Sequence, residues 1–182
     1  VVRYGVLAEM SATSRVGYHR YTFPASQQAA LVIDLKNGGC WDSVTESHME
    51  VVGDNRIEGY RYSSGWANDQ KVYFVAEFSK PFDSFEINNK HYGRASFVAK
   101  DGEQVMLKVA ISPVSIDGAR ANMEAELPAW PKLEKVAQKA EQAWEAELAK
   151  ADIKVADQSV KRIFYTALYH TMIAPAEFCD VD

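Results

Sequence analysis

Arg56-Ile57-Glu58-Gly59-Tyr60-Arg61-Tyr62-Ser63-Ser64-Gly65-Trp66-Ala67-Asn68-Asp69-Gln70-Lys71-Val72-Tyr73-Phe74-Val75-Ala76-Glu77-Phe78 is the stretch that decides how this chain is read. Two runs of β-branched and aromatic residues flank a short loop of small residues carrying one large aromatic, Trp66. In the second run alternation puts Val72, Phe74, Ala76 and Phe78 on one face and Tyr73, Val75 and Glu77 on the other. Such strands make a rigid scaffold, and a loop holding Ser64, Gly65, Trp66, Asn68 and Asp69 has the parts to stack on a sugar ring and hydrogen-bond its hydroxyls. Each residue also has a plainer use: Ser64, Gly65, Asn68 and Asp69 as turn formers, Trp66 as an interdomain or core side chain.

Outward from this stretch, Val1 to Pro113 is punctuated as an all-β domain, with strands expected near 3–9, 16–23, 29–35, 48–53, 56–62, 71–79, 82–87, 95–100 and 104–112. Nine short strands suggest an antiparallel β-sandwich, with hairpin turns at Asn88-Asn89-Lys90 and Lys100-Asp101-Gly102-Glu103. After Pro113 the apolar period changes to that of helices. A short helix is predicted over Ser115 to Leu127. A second runs from Pro131 to Lys150, with Leu133, Val136, Ala140, Ala143, Trp144 and Leu148 as its dry stripe and its Glu and Lys residues as a solvated face. In the last, Asp157 to Ala174, Ile163, Phe164, Tyr165, Ala167, Leu168, Tyr169, Met172 and Ile173 surround the axis, so the helix is expected to be buried on all sides. One linker helix and a sandwich cannot enclose it, and the natural protein is expected to continue past Asp182.

The 182 residues are 47% hydrophobic and 25% charged, ordinary values for a globular chain with a sizeable core. A net charge of −5 without a Lys/Arg stripe argues against nucleic acid or an anionic membrane as the partner. No window approaches the roughly 18 apolar residues of a membrane span, and the first residues are not a signal peptide. Cys40 and Cys179 allow either one disulfide or two free thiols.

His19 reads either as a catalytic group or as a strand histidine bonded to a neighbour. His170 is expected as a satisfied polar group on the buried helix, and His48 and His91 among exposed turn residues. The four lack metal-ligand spacing. Asp180 and Asp182 could reach a pocket mouth or a metal-ion shell, or cap a following helix. Glu58 and Glu77 lie in strands at a separation that sequence does not give. Nucleophile elbow, phosphate loop and dinucleotide fingerprint are all missing.

The opening stretch, together with Ser11-Ala12-Thr13-Ser14-Arg15-Val16-Gly17-Tyr18-His19-Arg20-Tyr21-Thr22-Phe23-Pro24, Val109-Ala110-Ile111-Ser112 running into Gly118-Ala119-Arg120-Ala121-Asn122, and Phe164-Tyr165-Thr166-Ala167-Leu168-Tyr169-His170-Thr171-Met172 leading to Asp180-Val181-Asp182, resembles the N-terminal part of bacterial glycoside hydrolases of family 92, the calcium-dependent exo-acting α-mannosidases. Four blocks in order span nearly the whole chain. The resemblance implies a sandwich over 1–113, a helical linker over 114–155, and over 156–182 the first helix of an (α/α)6 barrel that continues beyond this chain. It implies inverting hydrolysis of terminal mannose, α-1,2-linked in the first instance, with the catalytic acid and base and most Ca2+ ligands beyond Asp182. It assigns no catalytic or metal-binding residue here, so the fragment alone is expected to be inactive. Trp66, with Ser64, Gly65, Asn68 and Asp69 shaping its loop, would touch the sugar on the leaving-group side. The implied partners are a mannose-containing glycan and the protein's own C-terminal barrel, and the implied location is periplasmic, cell-surface or secreted. The rival reading is a non-catalytic carbohydrate-binding sandwich, which would have no use for the helices after Ser115. A structural or adhesion sandwich without sugar affinity would leave the loop composition to coincidence.

Overall fold

The computed structural model describes residues 1–37 and 41–181; Cys40 and Asp182 lie outside the described residues. Nine strands among them form two antiparallel sheets: β1 (Leu7–Ala12), β2 (Val16–Phe23), β3 (Ser26–Asp34), β4 (Ser43–Val52), β5 (Arg56–Ser64), β6 (Gln70–Phe78), β7 (Ser84–Asn88), β8 (Tyr92–Ala99) and β9 (Glu103–Ser112). The larger sheet has the order β1-β2-β9-β6-β5-β4, and the smaller β3-β8-β7. Helices α1 (Ile116–Glu126), α2 (Leu133–Leu148) and α3 (Gln158–Thr171) follow.

The alternation in β6 divides two cores. Phe74, Ala76 and Phe78 meet Ile57, Val105, Leu107 and Phe97 between the sheets. Val75, on the opposite face, joins Val16, Tyr18 and Ala110 beneath Ala119 and Met123 of α1 and Leu133 and Val136 of α2. The larger sheet is therefore covered on both faces, and the molecule has three layers. Gly59 of β5 permits the close approach of β4, because a Cβ there would collide with the carbonyl of His48. Asn89 and Lys90 take positive φ in one expected hairpin turn, and Gly102 does so in the other.

Several expectations change. The strand placed at 3–9 starts later: Val2–Tyr4 make a single 3-10 turn ended by Gly5 at φ 64, and β1 begins at Leu7. The β4 strand starts at Ser43 rather than at 48. Ser115 is the cap of α1, its side chain accepting from the Gly118 amide, and Asp157 caps α3 in the same way through Ser159. The dry stripe of α2 is buried only at Leu133 and Val136, while Trp144 stays 38% exposed with its ring edge-on to Tyr169 at 4.7 Å. Among the described residues α3 buries none of its side chains, and Ile163 is 68% exposed. The outer face of the sheet is already covered by α1 and the first turns of α2, so nothing remains within these residues to enclose α3. His170 is accordingly exposed rather than held in a core.

Two ties hold the helical excursion to the sandwich. Glu126, at the end of α1, accepts from Thr13 Oγ1 at 2.5 Å and from the Arg15 amide and guanidinium at 2.9 and 2.8 Å. Asp180 accepts from Ser112 Oγ at 2.7 Å and Asn122 Nδ2 at 2.8 Å, while Asn122 Oδ1 accepts from the Val181 amide. Asp180 thus fastens the last described residues to the end of β9 and to α1. Cys179 has a free, exposed thiol, and its carbonyl accepts from Arg15 Nε.

Burial pushes the carboxyls of Glu126 and Glu77 up, but their hydrogen bonds, to Thr13 and Arg15 and to Lys108 and Arg56 respectively, outweigh it and hold both below the ordinary range. A carboxyl whose pKa is lower folded than unfolded adds stability above its unfolded pKa, about 4.3, and loses it as pH falls through the folded value. Unfolding free energy is expected to be flat in these two groups from pH 6 to 8 and to drop below about pH 5. Glu126→Gln should make that acid limb shallower in a series of urea titrations; an unchanged limb would remove Glu126 from the account.

Candidate functional site

β5 and β6 pair from Arg56↔Glu77 to Ser63↔Gln70, and the five residues between Ser64 and Gln70 form the connection. Within it the Gly65 amide donates to the Ala67 carbonyl at 2.9 Å, which turns the chain tightly enough to leave Trp66 at the tip. Trp66 is 92% exposed, so the core-tryptophan reading does not hold among the described residues. Ser64 and Gly65 are half-buried at the base, while Asn68 and Asp69 are exposed beside the indole. The Asp69 carboxylate meets Lys71 Nζ at 3.2 Å. Four of the five expected site residues are therefore on one loop and Ser64 ends the strand before it, with Trp66, Asn68 and Asp69 open to water and Ser64 and Gly65 acting as the loop's footing.

Sequence reading missed two neighbours of this loop. One is an aromatic patch on the outer face of β5 and β6, where Tyr60 stacks on Tyr62 with ring centres 4.5 Å apart and Tyr62 Oη shares a proton with Tyr73 Oη at 2.9 Å. Tyr60 Oη donates to Glu46 at 2.6 Å, and Lys71 Nζ lies 5.4 Å from the Tyr62 ring centre. The bond to Tyr73, followed by burial, pushes the Tyr62 phenol up to about 12, so it stays protonated at any physiological pH. The alternation Tyr60, Tyr62 and the cross-strand Tyr73 was the available signal. The other neighbour is Trp41, 72% exposed in the β3–β4 connection.

The carboxylates of the strands are committed elsewhere. Glu58 is fully buried against Arg120, with Arg56 at 3.7 Å. Glu77 holds Lys108 at 2.9 Å and Arg56 at 2.7 Å. These pairs bind β5, β6 and β9 to α1 and leave neither carboxylate in position to move a proton. His19 Nδ1 lies 2.9 Å from Tyr21 Oη, and burial pushes its imidazole down; it is the strand histidine bonded to a neighbour. His91 Nδ1 meets Ser47 Oγ at 2.8 Å and is half-buried, whereas His48 is exposed on β4 rather than in a turn. Among the described residues no three His, Cys, Asp or Glu come together where they could hold a metal ion. No helix among them is long and apolar enough to cross a membrane.

A hollow of about 860 Å³ lies away from the loop, between the β1–β2 turn, α2 and the segment after α3, with Val136, Ala140, Trp144 and Met172 in its wall. Its half-buried acid, Glu126, is already bonded to Thr13 and Arg15. The Trp66 loop and its tyrosine patch are the better candidate, because there exposed aromatic faces and exposed amide and carboxylate groups are presented together at the ends of paired strands.

Residues 1–112 match the model of the glycosyl hydrolase family 92 N-terminal domain, and residues 118–182 match the family 92 catalytic domain. Among solved structures the chain is similar to the family GH92 alpha-mannosidase BT3965 from Bacteroides thetaiotaomicron, with 35% identity and a TM-score of 0.90 over 100% of this chain and 27% of that one. It is similar to the same alpha-mannosidase in complex with mannoimidazole, with 34% identity and a TM-score of 0.89 over 100% of this chain and 26% of that one. The inverting mannosidase BT2199 from the same organism shares the fold, with a TM-score of 0.84 at 24% identity over 98% of this chain and 25% of that one. Among curated proteins nothing matches. The chain thus spans about a quarter of the length of the structures it matches. On the strength of both family models and these structures, the chain belongs to glycosyl hydrolase family 92, as an N-terminal portion of such a protein.

Proposed function

We propose that this chain is the sandwich wall of an inverting, exo-acting α-mannosidase whose catalytic carboxyls and Ca2+ ligands lie in the (α/α)6 domain outside residues 1–182. The observation that carries the reading is Trp66: an indole left almost wholly in water on a loop fixed by paired strands, in a chain of family 92. Inversion sets two carboxyls about 6.5–9.5 Å apart across the scissile bond, one protonating the leaving oxygen and the other activating water. The sandwich supplies neither; the Trp66 face and the Asn68 and Asp69 groups orient the leaving-group sugar. The exposed apolar residues of α3, such as Ile163, would pack into the catalytic domain. Terminal mannose, α-1,2-linked in the first instance, is the proposed substrate, taken from a glycan outside the cytoplasm.

Release of mannose by the full-length protein from α-linked mannobioses, with and without a calcium chelator, tests the reaction and the ion together. Trp66→Ala in that protein is expected to lower kcat/KM at least tenfold, the order of one lost aromatic contact, with the thermal midpoint held. Equal loss of stability and activity would make Trp66 a structural residue instead. Mannose release by residues 1–182 alone would place the chemistry within this chain and overturn the proposal.

A further inference from the structure

Trp41 was not among the residues read from the sequence, yet the β4–β5 register carries it to the Trp66 loop. Ser43 pairs with Ser64, so Trp41 lies two residues before the last rung on one strand and Trp66 two residues after it on the other. Both tryptophans therefore follow the same end of the β4–β5 ladder, and the Trp41 ring lies against Gly65, the residue before Trp66. Gly65 makes this closeness possible: a Cβ there would stand 3.4 Å from the Trp41 ring and 2.9 Å from the Asp42 side chain.

The footing of Trp41 is rigid. Asp42 is clamped by Arg61 Nη1 at 2.6 Å, with both side chains less than one-fifth exposed, and Arg61 Nε donates to the Leu35 carbonyl at 2.9 Å. A tryptophan serving only to fill space at such a position would be covered by its neighbours. Trp41 instead rests on the Gly65 backbone and leaves 72% of its surface to water, beside a second indole that is 92% exposed. Exposed aromatics on preorganised footings are the usual anchors of recognition surfaces, since little conformational freedom is lost when a ligand settles on them.

We propose that Trp41 is a second sugar-stacking residue, continuing the Trp66 surface to the next residue on the leaving-group side, so that the protein selects α-linked mannose chains longer than a disaccharide. The inference rests on the reading of Trp66 as the contact to the first leaving-group sugar. Chain length separates the two rings, because a disaccharide reaches only the first of them.

The test uses the full-length protein, an α-linked mannobiose and an α-linked mannotetraose. Trp41→Ala is expected to lower kcat/KM on the tetraose about tenfold, to leave the mannobiose within about twofold, and to keep the thermal midpoint. Trp41→Phe should restore most of the tetraose activity, since a smaller ring still offers a face. Trp66→Ala should lower both substrates. Trp41→Ala acting on both lengths alike, or on neither, while Trp66→Ala still acts on both, overturns the role of Trp41 and leaves that of Trp66 standing. If Trp66→Ala leaves both substrates unchanged, the reading of the loop itself falls and the inference falls with it.

Discussion

Phe78→Ala is expected to cost the 182-residue chain about 3–5 kcal/mol of unfolding free energy, the range for a fully enclosed phenylalanine truncated to a methyl. Phe78 has no exposed surface and touches the rings of Phe82 and Phe97, each with its centre 5.8 Å away. Its backbone leaves little room for collapse into the vacated space, since its amide and carbonyl are both bonded to Asn55 at 2.8 Å. Phe78, at the end of the inner strand β6, is packed between the larger sheet and the smaller one, and relaxation would have to move both. Urea denaturation measures the loss, and a value under about 1.5 kcal/mol would mean that the intersheet core is looser than its burial indicates.

The second large effect is expected at Arg120, and it is asymmetric. Glu58 is wholly buried while the Arg120 side chain is 46% exposed and also holds Asp117 at 2.6 Å. Arg120→Met strands a buried carboxylate with only Arg56 at 3.7 Å, and a pair broken from this side costs about 3–5 kcal/mol. Glu58→Leu is expected to cost much less, because Arg120 can turn to water and Asp117, and Arg56 keeps Glu77 at 2.7 Å. The double variant Glu58→Leu/Arg120→Met should recover most of what Arg120→Met loses, as apolar side chains of similar volume often match a buried pair. Equal costs for the two single variants would show that packing, not charge desolvation, governs the site. The direction of the shift at Arg120 agrees: the bond to Glu58 pushes its guanidinium up, favouring the charged form.

The sandwich was legible because its signals are local. Alternation from Val72 to Phe78 foretold which residues face the smaller sheet, and the two hairpin turns announced themselves through Asn89 and Gly102. The first strand was misplaced because Val2–Tyr4 has strand-like composition, whereas Gly5, which forces the turn, acts through its φ and not through hydrophobicity. Trp66 was legible as a large ring among turn formers. Trp41 was not, since its closeness to Trp66 follows from the pairing of β4 with β5, a register between segments that one sequence does not specify. The contacts of Asp180 were not legible for the same reason: its partners Ser112 and Asn122 are 68 and 58 residues away along the chain. The all-round apolar helix was legible as well: a sandwich and one linker helix were expected to leave it unenclosed, and among the described residues α3 buries none of its side chains.

The bond from Asp180 to Ser112 brings the chain back, after its excursion through three helices, to the residue from which it left the sheet. Departure and return thus share one anchorage, in the manner of a carabiner. A pull on the chain beyond Val181 would be taken up at the end of β9, in the middle of the larger sheet, and would bypass α2 and α3 entirely. The third helix is then free to take its alignment from whatever surrounds it, while the strands that carry the two indoles keep theirs.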